Sequence, residues 1–211
     1  MRTTICLFLT LLCLLTAIGA SAGTVSGKIQ LGLTAATTTN ASENDKENVV
    51  IWLEGQEESK PPDTVLQIVQ EDLQFSPDFL VAMKGQKVEL PNNDDVAHNV
   101  YSFTGANQFN LGIYPKGESR FITLNETGIV DLFCSIHRHM HARIFVVPSA
   151  YFVSRHPGQN FSITDVPPGK YTLKAWNERS HMFVKIITVP KKGTIIENIG
   201  PEGGVNVAAQ E

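Results

Sequence analysis

Residues 130–147 read Val130-Asp131-Leu132-Phe133-Cys134-Ser135-Ile136-His137-Arg138-His139-Met140-His141-Ala142-Arg143-Ile144-Phe145-Val146-Val147. The pattern predicts a strand that ends at Cys134 and a second strand that returns through residues 143–147. Between them, a short loop carries His137 and Met140. The stretch therefore places a thiol, an imidazole and a thioether close together at one end of a strand pair.

A further histidine stands upstream, at the start of another predicted strand, in Asp94-Asp95-Val96-Ala97-His98-Asn99-Val100-Tyr101-Ser102-Phe103. A thiolate and two imidazoles in a trigonal arrangement, with a weak axial thioether, bind both oxidation states of copper with little rearrangement. The chain contains all four side-chain types. Together they predict a copper site that draws on both segments.

The three histidines of the loop leave an alternative open. His137, His139 and His141 alternate in the sequence, so on an extended strand they would share one face and form a zinc or cupric site. That geometry turns Met140 to the opposite face. A loop instead directs Met140 toward the metal and leaves His139 and His141 beside it as accessory residues.

The rest of the chain predicts an all-β fold, because short β-rich runs separated by turn residues recur and sustained helical periodicity is absent after the N-terminus. The predicted strands cover residues 24–31, 49–53, 66–69, 79–83, 87–90, 99–103, 120–124, 129–133, 143–147, 161–163, 171–176, 183–189 and 194–199. Residues 64–147 have the size of a small β-sandwich.

The metal-site segments resemble those of the cupredoxins. The Cys-x-x-His-x-x-Met loop is similar to that of amicyanin, and Ala97-His98-Asn99-Val100 is similar to the first-histidine segment of plastocyanins, pseudoazurins and amicyanins. Both segments also look like those of plastocyanin-like proteins labelled methylamine-utilisation proteins. The resemblance implies a Greek-key β-sandwich that holds one type-1 copper ion. It also implies that His98, Cys134 and His137 are equatorial ligands, that Met140 is the axial ligand, and that Asn99 ties the two ligand segments together.

The last part of the chain carries a different motif. Phe161-Ser162-Ile163 runs into Val166-Pro167-Pro168-Gly169-Lys170-Tyr171, in which Pro168-Gly169 suits a type II turn. This pattern resembles the carboxypeptidase regulatory-like, transthyretin-like sandwich. Because residues 49–53 are too apolar to remain uncovered, we expect residues 23–60 and 149–211 to form this smaller sandwich, with the cupredoxin domain inserted. Two consecutive domains joined end to end are the alternative.

The N-terminus predicts export. Arg2, an apolar run over residues 5–18 and Ala20-Ser21-Ala22 have the pattern of a signal peptide, residues 1–22, cleaved after Ala22. Its removal takes the formal charge from −4 to −5 and leaves Cys134 as the sole cysteine, so no intrachain disulfide forms. We expect a periplasmic protein without membrane insertion after cleavage, and the mild acidity argues against a nucleic-acid partner.

These features predict an electron carrier rather than an enzyme. A redox partner is expected to dock near His137, the exit that the cupredoxin resemblance implies. A periplasmic copper carrier or chaperone is the alternative, motivated by His139, His141 and the appended sandwich. A thiolate committed to copper is unavailable as a nucleophile, so catalysis is not expected. The sequence leaves the oligomeric state open.

Overall fold

The computed structural model describes residues 22–30, 47–55, 59–177, 182–200 and 205–207. The predicted signal peptide lies outside these ranges apart from its last residue, Ala22. A 3-10 helix spans Gly105–Asn107. The strands are, in chain order, β1 (Gly23–Lys28), β2 (Val49–Glu54), β3 (Leu66–Gln67), β4 (Val69–Glu71), β5 (Gln74–Ser76), β6 (Phe79–Met83), β7 (Lys87–Pro91), β8 (His98–Ser102), β9 (Phe109–Tyr114), β10 (Ser119–Thr123), β11 (Gly128–Phe133), β12 (His141–Val147), β13 (Phe152–Arg155), β14 (Asn160–Val166), β15 (Gly169–Trp176), β16 (Met182–Val189), β17 (Thr194–Ile196) and β18 (Val205–Val207). The all-β prediction is confirmed.

Strands β3–β12 form what we call the middle sandwich. One sheet has the order β6-β12-β11-β8-β9, the other has the order β10-β7-β3, and β4 and β5 form a separate hairpin. Alternate residues of the strands point into the core between the sheets, as a strand with one buried face requires. Val88 and Leu90 of β7 meet Val130 and Leu132 of β11 in this core.

The remaining strands form what we call the outer sandwich. Its sheets have the orders β14-β1-β17 and β13-β2-β15-β16-β18, so β1 and β2 pair with strands from the C-terminal part of the chain. Val25 of β1 and Leu53 of β2 share a buried core with Leu173 and Phe183. These pairings are the ones that an inserted middle sandwich requires. The domain boundaries and the transthyretin-like resemblance stay predictions.

The two sandwiches share a buried cluster to which β2 and β12 both contribute. On β2, Val49, Ile51 and Leu53 face the outer core, whereas Val50 and Trp52 face this cluster. On β12, Ala142, Ile144 and Val146 face the middle core, whereas Phe145 and Val147 face the cluster. Trp52 and Phe145 have ring centroids 5.5 Å apart. Burial on both faces explains the continuous apolar runs of residues 49–53 in β2 and 144–147 in β12.

The structure differs from the predicted strands in several places. Strands β5, β9, β13 and β18 were not predicted, and the predicted strand over residues 66–69 is two short strands, β3 and β4, interrupted at Ile68. In β9, Gly112 adopts a left-handed φ of 70°, which breaks the alternation that marks a strand. The last strand of the middle sandwich begins at His141, two residues earlier than predicted. None of the helices within the described ranges has the length and hydropathy of a membrane span.

Candidate metal centre

Two strand ends and a turn bring the predicted donors together. His98 is the first residue of β8, and Cys134 directly follows the last residue of β11. Since β11 pairs with β8 through Phe133 and Tyr101, the sheet sets Cys134 close to His98. His137 lies in the turn from β11 to β12. The turn is closed by a hydrogen bond of 3.0 Å from the Met140 N–H to the His137 carbonyl.

The donor atoms form a compact triangle. The sulfur of Cys134 lies 3.8 Å from Nδ1 of His98 and 3.8 Å from Nδ1 of His137, and the two Nδ1 atoms lie 3.0 Å apart. The centre of a triangle with these sides lies about 2.1 Å from each corner. Imidazole nitrogen and thiolate sulfur bind zinc at roughly 2.0–2.3 Å, and zinc is similar in size to the copper ion that the sequence predicts. One metal ion therefore fits all three donors without movement of the chain.

Burial divides the three donors unequally. His98 is fully buried and Cys134 is 3% exposed, whereas His137 is half-buried. Among the described residues, these three form the one group of histidine, cysteine and acidic side chains with the spacing of a metal site. The Cys134 sulfur and the His98 imidazole thus offer a cation two donors that are shielded from water.

A carboxylate fixes the orientation of His98. Nε2 of His98 lies 2.7 Å from Oδ2 of Asp94, whose side chain is 12% exposed. Burial alone raises the pKa of Asp94, but hydrogen bonds from His98 and from the backbone of Leu73 and Asp72, with the charge of His98, together lower it. This contact leaves Nδ1 of His98 as the ring nitrogen that faces the sulfur of Cys134 and the ring of His137.

Comparison with known proteins agrees with this geometry. Residues 62–147 match the family described as copper binding proteins of the plastocyanin/azurin family. The middle sandwich is a cupredoxin domain. The match stops short of the outer sandwich, and no curated protein sequence matched the chain.

Solved structures similar to the chain include three copper proteins. A novel purple cupredoxin from Nitrosopumilus maritimus is 23% identical over 39% of this chain and 99% of its own, with a TM-score of 0.35. The Cu-containing nitrite reductase from Thermus scotoductus SA-01 is 22% identical over 46% of this chain and 25% of its own, with a TM-score of 0.39. The reduced state of an amicyanin mutant is 20% identical over 46% of this chain and 99% of its own, with a TM-score of 0.36.

The family and the donor set together assign the metal. The matched family binds copper, and the thiolate with two Nδ1 atoms is the trigonal set that suits this ion. Copper is therefore the cofactor of the cupredoxin domain.

Met140 lies within the cupredoxin core. It is 1% exposed and packs in the same buried cluster as Cys134 and Tyr114. The turn thus points Met140 inward between two exposed histidines, His139 and His141. Its role as the axial ligand stays a prediction.

The side chain of Asn99 makes a contact that the sequence did not indicate. Its Nδ2 donates a hydrogen bond of 2.8 Å to Oδ1 of Asn110 on β9, and its own Oδ1 is buried without a partner. Asn99 therefore ties the first ligand strand of the cupredoxin domain to β9. Its predicted tie to the loop of Cys134 stays a prediction.

The accessory histidines lie outside the triangle. His139 is exposed, and its ring centroid is 6.3 Å from that of His137. His141 stacks on Phe133 with a centroid distance of 5.0 Å, and its Nε2 contacts Oδ1 of Asp131 at 3.0 Å. Residues 134–140 form turns rather than an extended strand. The alternative of three histidines on one strand face is therefore wrong.

Sequence reasoning missed Asp94 as a functional residue. Its position four residues before His98 is a usable signal, because metal-binding histidines usually donate their second ring N–H to a carboxylate or carbonyl. The intervening residues form a bend without periodicity, so nothing in the pattern indicated that the two side chains meet.

Proposed function

We propose that the chain is an exported electron carrier with one type-1 copper ion, held by His98, Cys134 and His137 and completed by Met140 on the axis. The observation that supports the proposal is the triangle of two Nδ1 atoms and the buried sulfur of Cys134, which has the size that a single ion needs. When bound, copper supplies a one-electron couple. The proposal does not include a catalytic reaction.

The chain's own residues keep the donors in place. His98 is locked between the start of β8 and the carboxylate of Asp94, and Cys134 is held at the end of β11. Two packed sheets and a closed turn resist movement, so the donors would present nearly the same geometry to both oxidation states of copper. Small rearrangement is the condition for rapid electron transfer, and it favours a carrier.

The half-buried ring of His137 is the proposed exit for the electron. Val96 and Ile136 stand near the two ligand histidines in the sequence and are each 45% exposed. Ile136 directly precedes His137 in the chain, and an exposed apolar side chain next to this ligand suits a redox protein that docks weakly and leaves quickly, as electron-transfer partners do.

Export is proposed from the sequence of residues 1–22, which has the composition of a signal peptide. A periplasmic location is consistent with a sole mature cysteine, because Cys134 is buried and committed to the metal rather than open to oxidation.

The spectrum of the copper-loaded protein tests the proposal. Residues 23–211, loaded with cupric ion, should show the intense visible charge-transfer band and the electron paramagnetic resonance signal of a type-1 site. Cys134→Ser should abolish both, because the charge-transfer band needs the thiolate. A colourless wild-type protein that holds zinc in preference to copper, or a blue Cys134→Ser variant, would overturn the assignment.

A copper carrier is the second candidate, and it is favoured by the exposed His139 beside His137, which offers a path for copper into and out of the site. The two functions differ in what is exchanged. Repeated oxidation by ferricyanide and reduction by ascorbate with constant copper content supports the electron carrier. Rapid loss of Cu(I) to the chelator bathocuproine disulfonate supports the copper carrier.

A further inference from the structure

The buried side of the metal centre carries a chain of contacts that starts outside the ligand set. The turn between β4 and β5 holds Asp72 and Leu73 in left-handed conformations, with φ of 55° and 57°. From this turn the Leu73 N–H donates a hydrogen bond of 3.1 Å to Oδ2 of Asp94. The same oxygen lies 2.7 Å from Nε2 of His98. The β4–β5 hairpin is thereby connected to a copper ligand through one carboxylate oxygen.

A second residue holds the backbone of Asp94 in place. Asn92 is fully buried, and its Oδ1 accepts the Asp94 N–H at 3.0 Å. Its Nδ2 donates to the carbonyls of Val96 and Tyr114 at 2.9 and 3.1 Å. The segment that carries Asp94 is therefore fixed at its backbone by Asn92, and its carboxylate cannot turn away from His98 without losing the hydrogen bond from Leu73.

We propose that Asp94 is a positioning residue that selects the Nε2–H tautomer of His98 and lowers the reduction potential of the copper. The part of this proposal that concerns the reduction potential rests on the proposed function, whereas the part that concerns the tautomer of His98 does not. Asp94 stabilises the form of the site with the larger positive charge, which is the Cu(II) form. The effect would pass through the imidazole, because Asp94 contacts Nε2 of His98, whereas Nδ1 of the same ring faces Cys134 and His137.

The setting makes this charge effective. The ring of His98 is fully buried and the side chain of Asp94 is 12% exposed, so water screens the interaction weakly. Asp95, the next residue, offers the opposite case: its side chain is 90% exposed and its partner is Lys116 at 2.5 Å. Two adjacent aspartates thus carry the same charge in different surroundings, and substituting each in turn isolates the buried contact.

The reduction potential tests the electrostatic part. Asp94→Asn keeps the shape of the side chain and removes its charge, and it should shift the Cu(II)/Cu(I) equilibrium about tenfold toward Cu(I), which is 59 mV for a one-electron couple. Asp95→Asn should leave the equilibrium within about twofold of the wild type, since exposed charges are screened. A redox titration of the copper-loaded full mature chain measures both. Equal potentials for wild type and Asp94→Asn, or equal shifts in both variants, would overturn this part.

The metal-free protein tests the positioning part independently of copper chemistry. At pH 8, the ¹⁵N shifts of the His98 ring should show a hydrogen on Nε2 and a bare Nδ1 in the wild type and in Asp95→Asn. Asp94→Ala should lose this preference. If the wild type gives no blue copper but keeps the tautomer, the proposed function fails and the positioning role stands.

A measurement on the wild type alone covers the case in which the Asp94 variants do not fold. The Nε2–H of His98 should appear as a downfield ring-proton signal that exchanges slowly with water, because it is buried and hydrogen-bonded. A rapidly exchanging signal, or a hydrogen found on Nδ1 instead, contradicts the proposal without any substitution.

Discussion

The two imidazoles of the copper centre lie in opposite settings. His98 starts a strand of the sheet, is fully buried and has its second nitrogen against Asp94. His137 lies in a turn of the ligand loop and is half-buried. Both present Nδ1 to the same point. In the proposed function, the buried ligand His98 fixes the geometry of the site and the half-buried ligand His137 faces the redox partner.

Removing each imidazole in turn tests the difference between His98 and His137 most directly. His98→Gly and His137→Gly should each lose the type-1 spectrum completely, because each removes one of three strong donors. Added imidazole at millimolar concentration should restore the spectrum in His137→Gly, where the vacated space reaches solvent. It should fail in His98→Gly, where the space is enclosed and contains the carboxylate of Asp94. Visible absorption with cupric ion measures both results.

His139→Gly is the control for this pair, because it removes an exposed ring next to the site and should keep the full spectrum. Thermal unfolding of the metal-free variants checks that each one is folded. Equal recovery of His98→Gly and His137→Gly in imidazole would show that the two sides of the site do not differ in access.

Met140 does not follow the contrast between the two histidines. It lies in the ligand loop, like His137, but it is as buried as His98. Met140→Leu conserves volume, so the free energy of unfolding should change by less than about 1.5 kcal/mol. Loss of the weak axial donor should leave the protein blue and raise the reduction potential, by roughly the 59 mV of a tenfold change in the one-electron equilibrium. A redox titration measures it.

Met83→Leu is the matched control for Met140→Leu. Met83 is also 1% exposed but lies on β6, away from the ligand segments. Its substitution should change stability by a similar amount and leave the potential unaltered. The same potential in both variants would remove Met140 from the ligand set.

The sequence predicted the ligand loop more completely than the surroundings of the site. Cys134, His137 and Met140 follow one another within seven residues, so local spacing brings them together in any tight turn. The apolar runs of β2 and β12 likewise predict burial, and in the structure both faces of each strand are covered. Local pattern is informative where neighbours in the chain are neighbours in space.

The contacts of His98 and Asn99 depend on segments with no recognisable pattern. Asp94 lies in a bend, and its donor Leu73 is in a left-handed turn of a hairpin of which only one strand was predicted. Asn99 meets Asn110 on β9, a strand that was missed because Gly112 breaks its alternating pattern. The contact of Asn99 depends on the pairing of β8 with β9 within one sheet, and the contact of Leu73 with Asp94 depends on the bridge between Gln70 of β4 and Asn92. The sequence of either segment alone does not encode these pairings.

The loop side has a carboxylate of its own, Asp131 on β11, which faces the first turn-proximal residues of β12. Oδ1 of Asp131 accepts hydrogen bonds from Arg143 at 2.8 Å and contacts His141 at 3.0 Å, and Asp131 and Arg143 are paired across β11 and β12. Burial alone raises the pKa of Asp131, but these two partners together lower it below its ordinary value. Asp131 thus anchors the end of the loop, whereas Asp94 anchors a ligand directly.

Asp131→Asn should therefore produce the smallest of these effects. A carboxyl with a lowered pKa stabilises the fold fully above the ordinary aspartate pKa of about 4 and loses that contribution as the pH falls through the lowered value. Because the ion pair is partly exposed, we expect the variant to lose about 1 kcal/mol of unfolding free energy at pH 7. The gap between variant and wild type should narrow toward pH 3, as measured by urea unfolding of the metal-free protein. If the difference in unfolding free energy widens as the pH falls, the ionised carboxylate of Asp131 does not stabilise the end of the loop. Asp131 would then not be an anchoring residue in the way that Asp94 is.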